Sequence, residues 1–214
     1  MVIAIDGPAG AGKSTVARGV ARALGFTYLD SGAMYRCVAL AALRTALDLD
    51  DGAAMGELAR RARIELADGR VMLDGADVTD AIRAPDVSAA ASSVSVHPQV
   101  REAMVERQRA LIEAGDYVAE GRDIGTAVTP AAPLKIFLTA SDGERARRRA
   151  AETGEQPEAV LAAQEARDAR DTGREHGALR PAVDAVEIDT TGLAVHDVIE
   201  RVVELARLRG LDSA

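Results

Sequence analysis

The chain has 214 residues, 48% of them hydrophobic and 28% charged, with a formal net charge of -8. That length suits one α/β domain with inserts, and the apolar content suffices for a proper core. The acidic balance, the absence of Trp and the scarcity of aromatics argue against a nucleic-acid polymer as partner, and no run approaches the ~20 apolar residues of a membrane span.

Residues 2–6, Val-Ile-Ala-Ile-Asp, read as a strand that starts almost at the N-terminus and leaves no room for a signal peptide. The segment Gly7-Pro8-Ala9-Gly10-Ala11-Gly12-Lys13-Ser14 matches the P-loop pattern in full. Such a loop works between a strand and a helix, where backbone N–H groups turn inward around phosphate oxygens. Lys13 is then expected on the β- and γ-phosphates of a nucleotide, and Ser14 on Mg²⁺.

Residues 13–24 carry Val16, Val20, Ala23 and Leu24 at helical spacing, with Gly25 as the stop. Phe26 to Leu29 is a short strand ending at Asp30, and 32–47 is an Ala- and Leu-rich helix. Strand, helix, strand, helix predicts a parallel sheet with crossover helices. Between about 56 and 96 the pattern changes. Strands at 63–66 and 70–73 flank an Asp68-Gly69 turn, Asp74-Gly75 marks another turn, and Pro85 with the small-residue run 88–95 leads to a helix from about His97 to Glu113. The parallel pattern resumes with strands at 117–119 and 134–138. Helices follow at 142–152 and 157–172, with Pro157 at a helix start, then a strand at 185–188 and an amphipathic helix at 195–208.

The single cysteine, Cys37, cannot make an internal disulfide and reads as a small buried side chain rather than a reactive thiol. With no span and no signal peptide, it points to a cytoplasmic protein. His97, His176 and His196 share no metal-ligand spacing.

Ligands of open α/β sheets bind outside the carboxyl ends of the strands, and charged segments recur there. In Asp30-Ser31-Gly32-Ala33-Met34-Tyr35-Arg36, Ser31 can cap the helix, Tyr35 can line a sugar or base, and Arg36 can reach a phosphate; an ordinary capped helix with a solvated Arg fits the same residues. In Glu120-Gly121-Arg122-Asp123, Glu120 is a candidate to hold Mg²⁺ through water, and Arg122 and Asp123 project into a cleft, although a surface turn would read alike. Residues 167, 170, 171 and 174 share a helical face, three guanidiniums beside one carboxylate, which is also the pattern of a salt-bridge ladder. Arg145, Arg148 and Arg149 crowd one helical face, either against a transferred phosphoryl group or as an exposed basic helix.

These segments, in this order, with Val100-Arg101-Glu102-Ala103, Ile124-Gly125-Thr126 and Lys135-Ile136-Phe137-Leu138-Thr139-Ala140, resemble the bacterial cytidylate kinases nearly end to end. The P-loop is generic; Asp30 to Arg36 and Gly121 to Thr126 are specific to that family. The resemblance implies a P-loop nucleoside-monophosphate-kinase fold. A parallel sheet flanked by helices would form the core over 1–55, 97–141 and 175–214, with a small antiparallel monophosphate-binding insert over about 56–96. A helical, arginine-bearing lid would cover about 142–174.

The implied reaction moves the γ-phosphoryl group of ATP to CMP or dCMP, with Mg²⁺, in a monomer. Residues 7–14 and Thr15 would bind ATP, with Ser14 and a water on Glu120 at the metal. Arg36, Arg122 and Arg174 would hold the CMP phosphate; Tyr35, Arg167 and Asp171 would line the sugar; Ser92, Arg101 and Asp123 would read cytosine; Ser31 would belong to the same substrate-binding set. Lys13, Arg122, Asp123 and the lid arginines Arg145, Arg148 and Arg149 would carry catalysis by positioning and charge neutralisation. The stretch between Arg149 and Arg167 is short beside many family members, and the insert matches the family only loosely around Ser92. Two other readings compete. One is a small P-loop kinase acting on UMP, AMP or shikimate. The other is a nucleotide switch, although a chain without Asn cannot carry the Asn-Lys-x-Asp guanine reader.

Overall fold

The computed structural model describes residues 1–67 and 69–212; Asp68, half of the expected hairpin turn, lies outside them. The chain divides into two compact units, residues 1–29 with 112–214 and residues 30–111.

The first unit is built on a five-stranded sheet of order β2-β6-β1-β7-β8. Its strands are β1 (Val2–Asp6), β2 (Thr27–Asp30), β6 (Tyr117–Gly121), β7 (Leu134–Thr139) and β8 (Val186–Asp189). β1 pairs in parallel with β6 on one side and β7 on the other, and β7 pairs in parallel with β8. All five residues of β1 are buried, which is why Val2 to Ile5 form a continuous apolar run rather than an alternating one. Helices α1 (Lys13–Leu24) and α8 (Val195–Leu208) pack together. Val16, Val20, Val198 and Val202 join Ile3 and Ile136 in one core. Helices α6 (Asp142–Thr153) and α7 (Pro157–Thr172) pack as a pair, α7 starting on the expected Pro157. Among the described residues no helix is long and apolar enough to cross a membrane.

The second unit holds α2 (Ser31–Arg44), α3 (Gly52–Arg61), a three-stranded antiparallel sheet, α4 (Pro85–Val94) and most of α5 (Pro98–Glu113). The sheet runs β3 (Ile64–Ala67), β4 (Arg70–Leu73), β5 (Ala76–Asp77). Asp74 and Gly75 form its second turn, both at positive φ, 52° and 85°, as an Asp-Gly hairpin pair prefers. Met34, Val38, Met55, Val94 and Met104 are fully buried here. Cys37 is buried with them, and burial pushes its thiol up to about 12, the inert state expected of a core cysteine.

Three local expectations change, and one helix goes beyond them. Ser31 is not the cap of α2: β2 runs one residue further, and the Asp30 carboxylate accepts from the Ala33 N–H at 2.8 Å. Residues 85–94 are a helix in their own right, started by Pro85, rather than a lead-in to α5. Gly52–Arg61 is a helix capped by Asp51, which accepts from the Ala53 and Ala54 N–H groups. β6 continues through Gly121, so Glu120 sits inside the strand and only 4% exposed rather than just beyond it.

Candidate active site

The phosphate loop joins β1 to α1 at the carboxyl edge of the central strand. Gly7 has φ 148°, and a Cβ there would stand 2.1 Å from the Leu138 carbonyl oxygen; Gly10 has φ 78°, and a Cβ there would stand 2.9 Å from Arg145 and 2.8 Å from Gln164. Only glycine fits either place. Ala11 is buried, Ser14 and Thr15 are exposed on the first turn of α1, and Pro8, Ala9 and Gly12 are partly buried.

Lys13 is 7% exposed, and its ammonium donates to the Pro8 carbonyl at 2.7 Å. Burial pushes it down to about 7, helped by the positive charges of Arg122 and Arg167 and opposed by Glu120 and Asp6. Glu120 accepts a hydrogen bond from the Tyr28 hydroxyl, and the Arg18 guanidinium lies over the Tyr28 ring at 4.8 Å from its centroid.

Beyond β6, Arg122 donates through Nε to Asp171 at 2.9 Å. Arg174 donates to the other Asp171 oxygen, and Arg167 stands 4.0 Å away. Asp171 is 1% exposed. Burial raises its carboxyl, but Arg122, Arg174 and Arg167 together outweigh that and hold it below the usual carboxylate range. The three-guanidinium cluster expected on one face of α7 therefore exists, but its members differ. Arg170 is exposed, and Arg122 arrives from the sheet edge instead. Helical spacing could place Arg167 and Asp171 on one face; it could not name a partner 49 residues away.

On α6, the crowded arginines are met by carboxylates. Arg145, 5% exposed, donates to Asp142 at 2.6 Å, to Asp168 of α7 at 2.5 Å, and to the Ala9 carbonyl of the phosphate loop at 2.9 Å. Arg148 donates to Glu144 at 2.8 Å and to the hydroxyl and carbonyl of Thr190 at 2.9 and 2.8 Å. One of its terminal nitrogens lies 3.7 Å from where a Cβ on Gly12 would stand. Arg149 is partly buried on the same helix.

The second unit carries its own charged group. Arg36 donates to Asp30 at 2.8 Å. Arg101, 5% exposed, lies over the Tyr35 ring at 5.9 Å from its centroid. Ser31 is 4% exposed, and Ser92 is 2% exposed with a hydroxyl that has no hydrogen-bond partner among the described residues.

Sequence reasoning missed Asp6, Tyr28, Asp142, Gln164, Asp168 and Thr190. Asp142 stands three residues before Arg145 on the same helix, a spacing that could have been read. Asp6 is a carboxylate closing an apolar strand, a conflict worth noticing. Thr190 and Gln164 give no sequence signal.

The family model described as cytidylate kinase matches residues 3–208. A cytidylate kinase of Solibacter usitatus is 50% identical over 98% of this chain and 93% of its own length. One of Geobacillus kaustophilus is 50% identical over 97% and 96%. A solved sugar kinase from Janibacter covers all of this chain and is itself covered to 98%, with a TM-score of 0.51 and 17% identity, a likeness of fold.

Proposed function

The chain belongs to the cytidylate kinase family, and from that premise we propose the residues by which it transfers the γ-phosphoryl group of ATP to CMP. One observation carries the reading. Lys13 is buried in the company of Arg122 and Arg167, so the phosphate loop gathers positive charge that burial disfavours. A polyphosphate anion relieves that crowding, and a phosphoryl group in flight needs it most.

In this reading an oxygen of the CMP phosphate bonds to the γ-phosphorus of ATP as the bond to ADP breaks, and no side chain becomes covalently attached. Residues 7–15 hold the ATP phosphates, with Lys13 on the β- and γ-groups. Arg122 and Arg174, oriented by Asp171, and Arg36 hold the acceptor phosphate. Tyr35, Arg167 and Asp171 line its sugar, and Ser31 belongs to the same substrate-binding set. Ser92, Arg101 and Asp123 read cytosine: a carboxylate accepts from the 4-amino group, and the 4-carbonyl of uracil would face it acceptor to acceptor. Arg145, Arg148 and Arg149 neutralise charge on the donor.

Mg²⁺ is part of the proposal. Among the described residues no cluster of three or more His, Cys, Asp or Glu offers a metal cage. The donors at hand are the exposed Ser14 hydroxyl and the Glu120 carboxylate, the sparse oxygen set that suits Mg²⁺ arriving with phosphates. When bound, Mg²⁺ would be held by Ser14 and, through water, by Glu120, and would supply positive charge to the transferring phosphoryl group. We also propose dCMP as an acceptor, a monomeric state and a cytoplasmic location.

The test is an ADP-release assay with MgATP and, separately, CMP, dCMP, UMP, AMP and shikimate. Turnover confined to CMP and dCMP is the expected result. Turnover chiefly with AMP or shikimate would overturn the acceptor assignment, and ATP binding without turnover on any acceptor would favour a nucleotide switch. Within the lid, Arg148→Ala lowers kcat by about 10- to 100-fold while KM for CMP moves little. A raised KM at unchanged kcat would move Arg148 from the donor to the acceptor side.

A further inference from the structure

Asp6 closes the central strand, paired across the sheet with Gly121 of β6 and Phe137 of β7. A carboxylate at the end of a fully buried apolar strand is costly unless it is hydrogen-bonded. Its two oxygens are each used. Oδ1 accepts from the Ile124 N–H at 2.8 Å and Oδ2 from the Gly125 N–H at 2.7 Å. Both are the first amides of the short π-helical turn at Ile124–Val128, which also closes on the Asp123 carbonyl through the Ala127 and Val128 N–H groups.

Asp123 holds the N-cap position of that turn. An Asp there would ordinarily cap the turn with its own side chain, and Asp123 does not. The capping is done from another strand, 118 residues away in sequence, by Asp6. Two carboxylates therefore sit together where one would satisfy the backbone. Burial raises the Asp6 carboxyl to about 6, and the charge of Asp123 adds to that rise against the pull of the two amides and Lys13. The fold keeps both acids in spite of their repulsion, and the turn is capped by Asp6 rather than by Asp123.

The turn is also confined beside Asp6. A Cβ on Gly125 would stand 3.2 Å from the Lys135 stem and 3.4 Å from the Asp6 carboxylate. Lys135 is itself fixed, 8% exposed and bonded to Asp184 at 2.9 Å.

We propose that Asp6 is a positioning residue for the acceptor: by capping the turn after Asp123 it holds Arg122 and Asp123 in register with CMP. This rests on the reading of Arg122 and Asp123 as acceptor-binding residues. Asp6 acts through the Ile124 and Gly125 amides that its two oxygens hold.

The experiment compares the wild type with Asp6→Asn, Asp123→Ala and the double variant, measuring kcat and KM for CMP and UMP above the pH at which Asp6 titrates. Affinity for a non-hydrolysable ATP analogue is measured by calorimetry, and folding by circular dichroism. In Asp6→Asn an amide NH₂ replaces one acceptor and faces a backbone N–H. The expected result is a rise of about 10- to 100-fold in KM for CMP and a weaker preference for CMP over UMP. Affinity for the ATP analogue should stay within about twofold, and the change in preference should vanish in the Asp123→Ala background.

Equal losses on ATP and CMP would make Asp6 a general support of the phosphate loop and overturn the proposal. So would an unchanged CMP/UMP ratio in Asp6→Asn when Asp123→Ala alters it. If Asp123→Ala leaves the ratio unchanged, the base-reading assignment has failed instead. Asp6 is then judged on KM for CMP against ATP-analogue affinity, through Arg122. Should Asp6→Asn not fold, Gly125→Ala crowds the Asp6 carboxylate and the Lys135 stem at the same turn and is scored by the same two criteria.

Discussion

Lys13→Ala is expected to remove at least about 10²- to 10³-fold from kcat, because it deletes a donor aimed at the charge that grows on the transferred group. The side chain is 7% exposed and its ammonium is held 2.7 Å from the Pro8 carbonyl. The fold should not suffer in proportion. A buried ammonium pushed down to about 7 is one whose charged form the fold disfavours. With a folded pKa below the unfolded value of ~10.4, its cost is greatest below the folded pKa and fades as pH rises toward the unfolded one. Lys13→Met, which keeps the apolar stem, should therefore melt no lower than the wild type at neutral or lower pH while being equally inactive. Near-normal turnover of either variant in ADP release would sink the P-loop assignment, and a large fall in melting temperature of the Met variant would show that the ammonium holds the loop together.

Asp171→Ala is the second large effect, and here stability and acceptor binding should fail together. The carboxylate is 1% exposed and serves Arg122 and Arg174 directly, with Arg167 at 4.0 Å. Removing it leaves guanidiniums that are 17% and 7% exposed without their shared anion. Breaking a buried pair in this way costs about 3 kcal/mol, roughly 6–12 °C in melting temperature for a chain of this size. KM for CMP should rise by about 10- to 100-fold, since two arginines assigned to its phosphate lose their orientation.

The pH dependence has a definite sign. The Asp171 carboxyl is held below its ordinary value, so its contribution is complete above the unfolded pKa of ~4 and is lost as pH falls through the folded pKa. The melting-temperature gap between wild type and Asp171→Ala should therefore close only below about pH 4. A gap that is absent at neutral pH would remove Asp171 as the organising charge.

Both effects depend on residues the sequence had marked, yet the geometry that makes them large was not legible. Lys13 could be placed because a P-loop is contiguous: seven neighbours along the chain fix where its backbone turns. Asp171 could be placed on a face with Arg167 because a helix repeats. That Arg122 rather than Arg170 completes the cluster, and that Arg145 ties Asp142, Asp168 and the Ala9 carbonyl into one knot, follows no periodic rule. The misjudged helix at 85–94 has a similar origin. Its Ala and Ser run reads in isolation only as a lead-in to the next helix, and is a helix of its own because Pro85 starts it and α2 packs against it.

The sequence by itself therefore determined what is local. The buried strand β1, the glycine geometry of the phosphate loop, the helix stop at Gly25, the Asp74-Gly75 turn and the family membership are all written in consecutive or regularly spaced residues. The tertiary structure alone decided the partners. Asp6 meets Ile124 across 118 residues, Arg145 meets Ala9 across 136, and Tyr28 meets Glu120 across 92. Hydrogen bonds and ion pairs act over a few ångströms. Which distant groups come that close depends on how the sheet orders its strands, and residue types along a chain do not record that order.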